Sequence, residues 1–120
     1  MTDPVAERID DLVLANRILS REGIVDAFGH VSARHPEQPR HYLMSCSKSP
    51  NCVEASDIVE LTLDSRPVTP TDRKMYIERA IHGAIYAARP DVHAICHHHA
   101  EAILPYCVTG ETPAPISQLG

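Results

Sequence analysis

Residues 78–100 read ERAIHGAIYAARPDVHAICHHHA, and this stretch decides the fold prediction. Apolar residues at helical spacing predict a helix over about residues 75–88, which Pro90 ends. The segment VHAICHH, residues 92–98, is predicted to be a strand. It runs into the consecutive histidines His97, His98 and His99. Imidazoles at the end of an apolar strand indicate a metal site.

The spacing of these histidines determines which of them can share one ion. Side chains on a strand alternate between faces, so His97 and His99 point to one side and His98 to the other. Such an ion usually takes three or four protein ligands. Cys96 would lie on the opposite face and is predicted to be a core residue. The alternative is a polar strand end with solvated histidines.

The predicted helix carries a second cluster of chemistry-bearing residues. Glu78 and His82 are four residues apart, so they share one face, and Tyr86 continues that line. Glu78 is therefore a candidate proton donor or acceptor. The alternative is a surface Glu–His pair. The apolar stripe beside this line is predicted from Ile77, Ile81, Ala84, Ile85 and Ala88.

The rest of the chain predicts a layered single domain. A helix is expected over residues 4–21, with Asp3 as N-cap and Pro4 in the first turn. Strands are expected over residues 31–34, 41–45 and 58–64, and a brief helix over 100–105 that Pro105 stops. This order predicts α/β layers around a mainly antiparallel sheet in one domain, residues 1–120.

Composition excludes several classes of function. The 120 residues are 43% hydrophobic and 22% charged, with a net charge of −5, which is typical of a globular protein without a basic footprint for nucleic acid. No apolar run approaches the roughly 18 residues that span a membrane. The acidic start is unlike a signal peptide, so a cytoplasmic location with four free thiols is expected.

Together these residues resemble the signature of the class II aldolase/adducin family. Its hallmarks are a helix with a catalytic Glu, an RPDV turn and a strand ending in HxH. Glu78, residues 89–92, His97 and His99 fill those places. Upstream, FGHVSAR (residues 28–34) matches a segment that usually reads G-N-x-S-x-R and helps to bind substrate.

The resemblance implies a three-layer α/β/α fold with a mainly antiparallel central sheet. It implies a divalent metal ion, zinc or manganese, bound by three histidines, and a homotetramer with active sites between subunits. Glu78 would act as acid and base, and His82 would orient or assist. Family members cleave carbon–carbon bonds, epimerise, dehydrate or decarboxylate small molecules, with the metal as Lewis acid.

Two departures from the family pattern narrow the expected chemistry. Position 30 is His where sugar-phosphate aldolases carry Asn, and MSCSKSPN (residues 44–51) lacks their phosphate-binding Thr-Gly pair. The pattern looks more like a branch with decarboxylases of hydroxylated aromatic or pyridine dicarboxylic acids. A second carboxylate would then be held by His30, Ser45, Ser47, Lys48 and Ser49. The alternatives are an aldolase or epimerase acting on a sugar phosphate, a non-enzymatic adducin-like module, and an inactive fragment.

The third metal ligand is not found within these residues. The resemblance places that histidine downstream of ISQLG, residues 116–120. The chain is therefore interpreted as a fragment or a truncated product that lacks the C-terminal part of the fold. We expect the 120-residue chain alone to bind metal weakly and to be inactive.

Overall fold

The computed structural model describes residues 2–116. Its helices and strands, in chain order, are α1 (Pro4–Arg21), β1 (His30–Arg34), β2 (His41–Ser45), β3 (Ile58–Thr62), α2 (Arg79–Ala88), β4 (Ala94–His97) and α3 (Leu104–Thr109). Two short 3-10 turns, Pro50–Cys52 and Ala55–Asp57, lie between β2 and β3. Residues 117–120, the end of the tail for which no element was predicted, lie outside the described residues.

Local signals set both ends of α1. The Asp3 side chain accepts a hydrogen bond from the Val5 N–H at 2.9 Å, and Pro4 occupies the first turn, where no N–H is needed. Gly23 follows the helix with a φ of 71°, the left-handed conformation that glycine adopts without steric cost. The predicted helix over residues 4–21 is confirmed.

The sheet has the order β3-β2-β1-β4, and every neighbouring pair is antiparallel. One face packs on α1 through a cluster that contains Leu12, Val31, Ala33 and Leu43. The other face carries α2, whose Tyr86 joins the second core cluster. The predicted three-layer α/β/α arrangement with an antiparallel sheet is confirmed.

Arg34 ties the end of β1 to the end of α2. Its buried guanidinium donates to the carbonyl oxygens of Tyr86 and Arg89, each at 2.9 Å, and to that of Val92. Carbonyls in the last helical turn lack helical partners, so a cation here satisfies them and complements the helix dipole. This anchor fixes α2 against β1.

Gly83 lets α2 lie close to the turn that follows β3. A Cβ at this position would stand 2.5 Å from Ser65 Oγ and would also meet the Leu63 carbonyl oxygen. Ser65 itself has a φ of 64°, in the left-handed region. The close packing of α2 on this turn therefore requires a residue without a side chain at position 83.

Besides β1, which begins at His30 rather than at residue 31, three predicted elements have wrong boundaries. Helix α2 begins at Arg79 rather than 75, because Met75 and Tyr76 turn into the core before the helix starts. Strand β3 ends at Thr62, where the chain turns back through Ser65. Strand β4 covers only residues 94–97 of the predicted 92–98.

The apolar stripe predicted on α2 does not face the sheet. Ile77 is 86% exposed and Ile81 41% exposed in the described chain, whereas His82 and Tyr86 are 0% and 1% exposed. The helix turns its polar line inward because that line finds hydrogen-bonding partners on β1. Ala84 and Ala88 are exposed and Ile85 is half-buried, so the remainder of the stripe also faces away from the sheet.

The last predicted helix is misplaced. Pro105 does not stop a helix over 100–105 but lies in the first turn of α3, a position that tolerates the missing N–H. Gly110, with a φ of 75°, ends α3. Within residues 2–116 there is no helix of the length and hydropathy that a membrane crossing requires.

The cysteines are free thiols, as expected, but Cys96 is not in the core. Cys46 is buried, whereas Cys52, Cys96 and Cys107 are exposed. Cys96 does lie on the face opposite His97, as strand alternation predicts. That side of the edge strand β4 is not covered by α1 in the described chain, so the core prediction for Cys96 is wrong.

Candidate metal centre

A histidine pair and a carboxylate meet where β1 and β4 lie side by side. His30, the first residue of β1, is directly opposite His97, the last residue of β4. Their rings are stacked, with centroids 4.9 Å apart and planes 16° apart. Glu78 precedes the first turn of α2 and places its carboxylate 3.4 Å from His97 Nε2 and 3.9 Å from His30 Nε2.

His99 extends this cluster beyond the end of β4. Its ring lies at 80° to that of His97, with centroids 4.9 Å apart, so the two predicted metal ligands are neighbours. His98 differs, because its Nδ1 accepts a hydrogen bond from the Ala100 N–H at 3.1 Å. His97 and His99 are thus neighbours, although only His97 belongs to the strand. Their role as metal ligands stays a prediction.

This donor set fits a divalent metal ion. Nε2 of His30 and of His97 are buried atoms without a hydrogen-bonding partner in the described chain. Ligand atoms of His30, Glu78 and His97 all lie within 4.8 Å of one another. Imidazole and carboxylate groups are ligands that suit zinc and, with more oxygen donors, manganese.

Behind His30, a line of hydrogen bonds leads into the core. His30 Nδ1 is 2.7 Å from His82 Nε2, His82 Nδ1 is 2.6 Å from Ser32 Oγ, and Ser32 Oγ is 2.8 Å from the Tyr86 hydroxyl oxygen. All four side chains are 2% exposed or less. These four residues, His30, His82, Ser32 and Tyr86, form the buried relay.

Burial keeps the relay neutral. Loss of solvation, reinforced by His30 and His97, lowers the pKa of His82 to about 3. The same burial raises the pKa of Tyr86 to about 12. Burial and the neighbouring His97 also lower the pKa of His30, against the opposing effect of Glu78. An uncharged His82 has one N–H, so each of its hydrogen bonds has a defined direction.

The residues predicted to bind substrate divide into two groups. Ser47 lies in a cleft that reaches Glu78, beside Tyr76 and the exposed ring of Phe28. Lys48 instead directs its ammonium to Asp57 at 2.8 Å, and the Ser49 hydroxyl donates to Asn51. Ser45 is buried and donates to the Cys46 carbonyl oxygen. The structure thus brings Ser47 to the cleft, buries His30 beside His97 and Glu78, and turns the other three polar groups away from the cleft.

Asp57 explains the direction of Lys48. This buried carboxylate accepts from Lys48 Nζ, from Arg73 at 2.7 Å and from the Glu54 N–H. The hydrogen bonds from Lys48 and then from Glu54 hold the pKa of Asp57 at about 2, and Arg73 adds to the effect. The cluster anchors the loop between β2 and β3 rather than a substrate.

Sequence reasoning missed Ser32, which joins His82 to Tyr86 in the line of hydrogen bonds behind His30. Glu78, His82 and Tyr86 were recognised as one line on a helix, but the partner of that line on β1 was not. The available signal was strand alternation, which puts Ser32 on the same face as His30.

A comparison with protein families assigns the chain to one of them. The model of the class II aldolase and adducin N-terminal domain matches residues 10–120. The chain belongs to this family. The resemblance stated from the signature residues is therefore confirmed.

Similar proteins carry out different reactions. A protein named decarboxylase tropJ from Talaromyces stipitatus is 37% identical over 117 residues, which cover 96% of this chain and 44% of that protein. A methylthioribulose-1-phosphate dehydratase from Gluconacetobacter diazotrophicus is 34% identical over 102 residues, 84% of this chain and 49% of that protein. The chain spans less than half the length of these curated relatives.

Solved structures agree with the fold. An L-fuculose 1-phosphate aldolase from Glaciozyma antarctica superposes with a TM-score of 0.80 at 27% identity. The superposition covers 90% of this chain and 46% of that structure. The α/β/α arrangement described above is thus the class II aldolase fold over that part.

Proposed function

We propose that the protein is a divalent-metal-dependent lyase that cleaves a carbon–carbon bond, by decarboxylating a hydroxylated aromatic carboxylate. The observation that carries this proposal is that His97 lies next to both Glu78 and His99 at one end of the sheet. Glu78 Oε2 is 3.4 Å from His97 Nε2, and the His99 ring contacts that of His97.

In this proposal His97 and His99 hold zinc or manganese. When bound, the ion supplies Lewis acidity toward the substrate oxygens beside it. In decarboxylation the bond between the ring carbon and the carboxylate breaks, carbon dioxide leaves, and the electron pair stays on the ring carbon. That carbon then takes up a proton. Glu78, beside His97 and open to the cleft, is the group that delivers it.

The cleft next to Glu78 supports an aromatic substrate. It has a volume of about 260 Å³ and includes Phe28, the only phenylalanine of the chain, which is 72% exposed. An exposed aromatic ring at a cleft can stack on another ring. Ser47 lines the same cleft and offers a hydroxyl group to an anionic substituent.

A second candidate is an aldolase or epimerase acting on a sugar phosphate. It is favoured by the fold shared with the fuculose phosphate aldolase. His30 and the loop without a Thr-Gly pair favour the decarboxylase instead, as does the identity to a protein named decarboxylase. A non-enzymatic adducin-like module would not require Glu78, His97 and His99 together.

Product analysis separates these candidates. A full-length version of the protein is needed, because residues 1–120 alone are expected to be inactive. This version, supplied in turn with zinc and manganese, is incubated with hydroxylated benzene and pyridine dicarboxylates, and carbon dioxide release is followed. Sugar phosphates are tested in parallel for aldehyde release. We expect metal-dependent carbon dioxide release. Aldehyde release alone would replace the decarboxylase with an aldolase, and no turnover of either class with bound metal would refute both.

Metal retention tests the ligands independently of turnover. We expect His97→Gln and His99→Gln to lose bound zinc in elemental analysis, because each removes one imidazole donor. His98→Gln is the matched control, since His98 already bonds to Ala100. Equal loss in all three variants would contradict the proposed strand geometry. A small-molecule substrate, a homotetramer and a cytoplasmic location are further parts of the proposal, and they rest on family membership.

A further inference from the structure

The buried relay contains four donor hydrogens in the neutral state. These are one on each imidazole and one on each hydroxyl of Ser32 and Tyr86. Three contacts join the four side chains, at 2.7, 2.6 and 2.8 Å. Three hydrogens can therefore lie between partners, and one hydrogen remains unshared. If Ser32 Oγ accepts from both neighbours, its own buried hydrogen has no acceptor among the described residues, which is disfavoured. If all three bonds run the same way, the unshared hydrogen lies at an end of the line. The direction of the relay decides which end that is.

In one direction, the free hydrogen lies on Tyr86. His30 Nδ1–H would donate to His82, His82 Nδ1–H to Ser32, and Ser32 to Tyr86. The Tyr86 hydroxyl hydrogen would then face the core without an acceptor, since Ser32 is its only hydrogen-bonding partner among the described residues. An unsatisfied buried donor is disfavoured by roughly 10- to 100-fold.

In the other direction, the free hydrogen lies on His30. Tyr86 donates to Ser32, Ser32 donates to His82 Nδ1, and His82 Nε2–H donates to His30 Nδ1. The remaining hydrogen is then on His30 Nε2, which has no partner in the described chain and lies 3.9 Å from the Glu78 carboxylate. A carboxylate attracts an N–H, so electrostatics favours this direction.

We infer that the buried relay fixes His30 with its hydrogen on Nε2, which makes His30 a hydrogen-bond donor to an anionic substrate oxygen rather than a metal ligand. His82, Ser32 and Tyr86 are positioning residues that act through His30. The position of Nε2 beside His97 would also suit a ligand, but a ligand nitrogen must offer a lone pair. This donor role of His30 rests on the proposed function in one respect, which is that the substrate must be an anion.

The direct test is the tautomer of His30 in the metal-free protein. Long-range proton–nitrogen NMR spectra of nitrogen-15-labelled protein distinguish a protonated from an unprotonated ring nitrogen. We expect a protonated Nε2 on His30 before and after zinc is added. A protonated Nδ1, or a zinc-induced shift of His30 Nε2, would overturn the inference. This result does not depend on whether the protein is a decarboxylase.

Two substitutions at Ser32, with replacement side chains of matched shape, test whether the relay sets this tautomer of His30. Ser32→Asp offers only acceptors, so it draws the hydrogen of His82 to Nδ1 and reverses the relay. Ser32→Asn retains an N–H donor toward His82 and preserves the direction. We expect protonated Nδ1 on His30 in the first variant and protonated Nε2 in the second. The same tautomer in both folded variants would overturn the role of Ser32, and the wild-type spectrum decides if neither folds.

Binding measurements separate the donor role from the ligand role. With 4-hydroxyphthalate as probe, we expect His30→Leu to weaken binding roughly 10-fold or more, the effect of losing a hydrogen bond to a charged group. His30→Gln, which keeps an N–H, should recover most of this loss. Both variants should retain zinc at the wild-type ratio. Loss of zinc in His30→Gln, or unchanged probe binding in His30→Leu, would refute the donor role of His30. Failure of the proposed function gives a different result, in which His97→Gln still retains zinc because His97 is not a metal ligand.

Discussion

Acidification should destabilise the metal-free protein through His82. This imidazole is 0% exposed, and its pKa falls from 6.5 in the unfolded chain to about 3 in the fold. Below pH 6.5 the unfolded chain therefore binds a proton that the folded chain does not. Stability is then lost at up to about 1.4 kcal/mol per pH unit, which amounts to about 2 kcal/mol from His82 by pH 5.

The sign of this effect follows from the lowered pKa. A neutral buried imidazole contributes its full stability above the unfolded pKa and loses it as the pH falls toward the folded pKa. The pKa of His30 is also lowered, so His30 acts in the same direction. Asp57, with a pKa of about 2, contributes no loss until the pH falls below about 4.

Urea denaturation of the protein and of His82→Gln measures this contribution. Both proteins are treated with a chelator and unfolded at several pH values between 7 and 5. We expect the variant to be less stable at pH 7 but to lose about 2 kcal/mol less on acidification. Parallel pH profiles would refute the reasoning, because His82 would then bind protons equally in the folded and unfolded states. If the variant does not fold, an NMR titration of His82 in the wild-type protein decides.

Three substitutions test other parts of the fold. Gly83→Ala should lower the melting temperature, because contact with the Leu63 carbonyl oxygen and Ser65 costs about 1–3 kcal/mol and outweighs a helix-propensity gain of about 1 kcal/mol. A higher melting temperature would contradict the close approach. Asp57→Asn should lower the free energy of unfolding by about 2 kcal/mol in urea denaturation at pH 7. This difference from wild type should shrink as the pH falls from about 4 toward 2, whereas a constant difference would exclude a charged Asp57. Tyr86→Phe should cost about 1 kcal/mol, read from the urea midpoint, since it removes the hydrogen bond to Ser32; an unchanged midpoint would argue against that bond.

Elements with local signals were predicted well from the sequence. Helix α1 has a cap, a first-turn proline and a terminal glycine within its own segment, and its bounds are correct. Strand β2 was also placed at residues 41–45, between a proline-rich turn and a polar loop. In both cases the deciding interactions are made by neighbours in the sequence.

Orientation and pairing were harder to predict because they depend on distant residues. The inward face of α2 is set by Ser32 and Arg34 on β1, and apolar periodicity along the helix does not indicate this face. The pairing of His97 with His99 followed from alternation along one strand. The neighbourhood of His30 and His97 depends on β1 and β4 lying side by side, which no local pattern indicates.

The pairing of β4 with β1 determines how the consecutive histidines respond to a shift in strand register. A slip of one residue along β1 would exchange His97 for His98 opposite His30, so an imidazole would remain at the centre. The same slip would replace Ile95 by Cys96 opposite Ser32 and remove a branched apolar side chain from the core. Correct register is therefore enforced by Ile95 and not by the histidines.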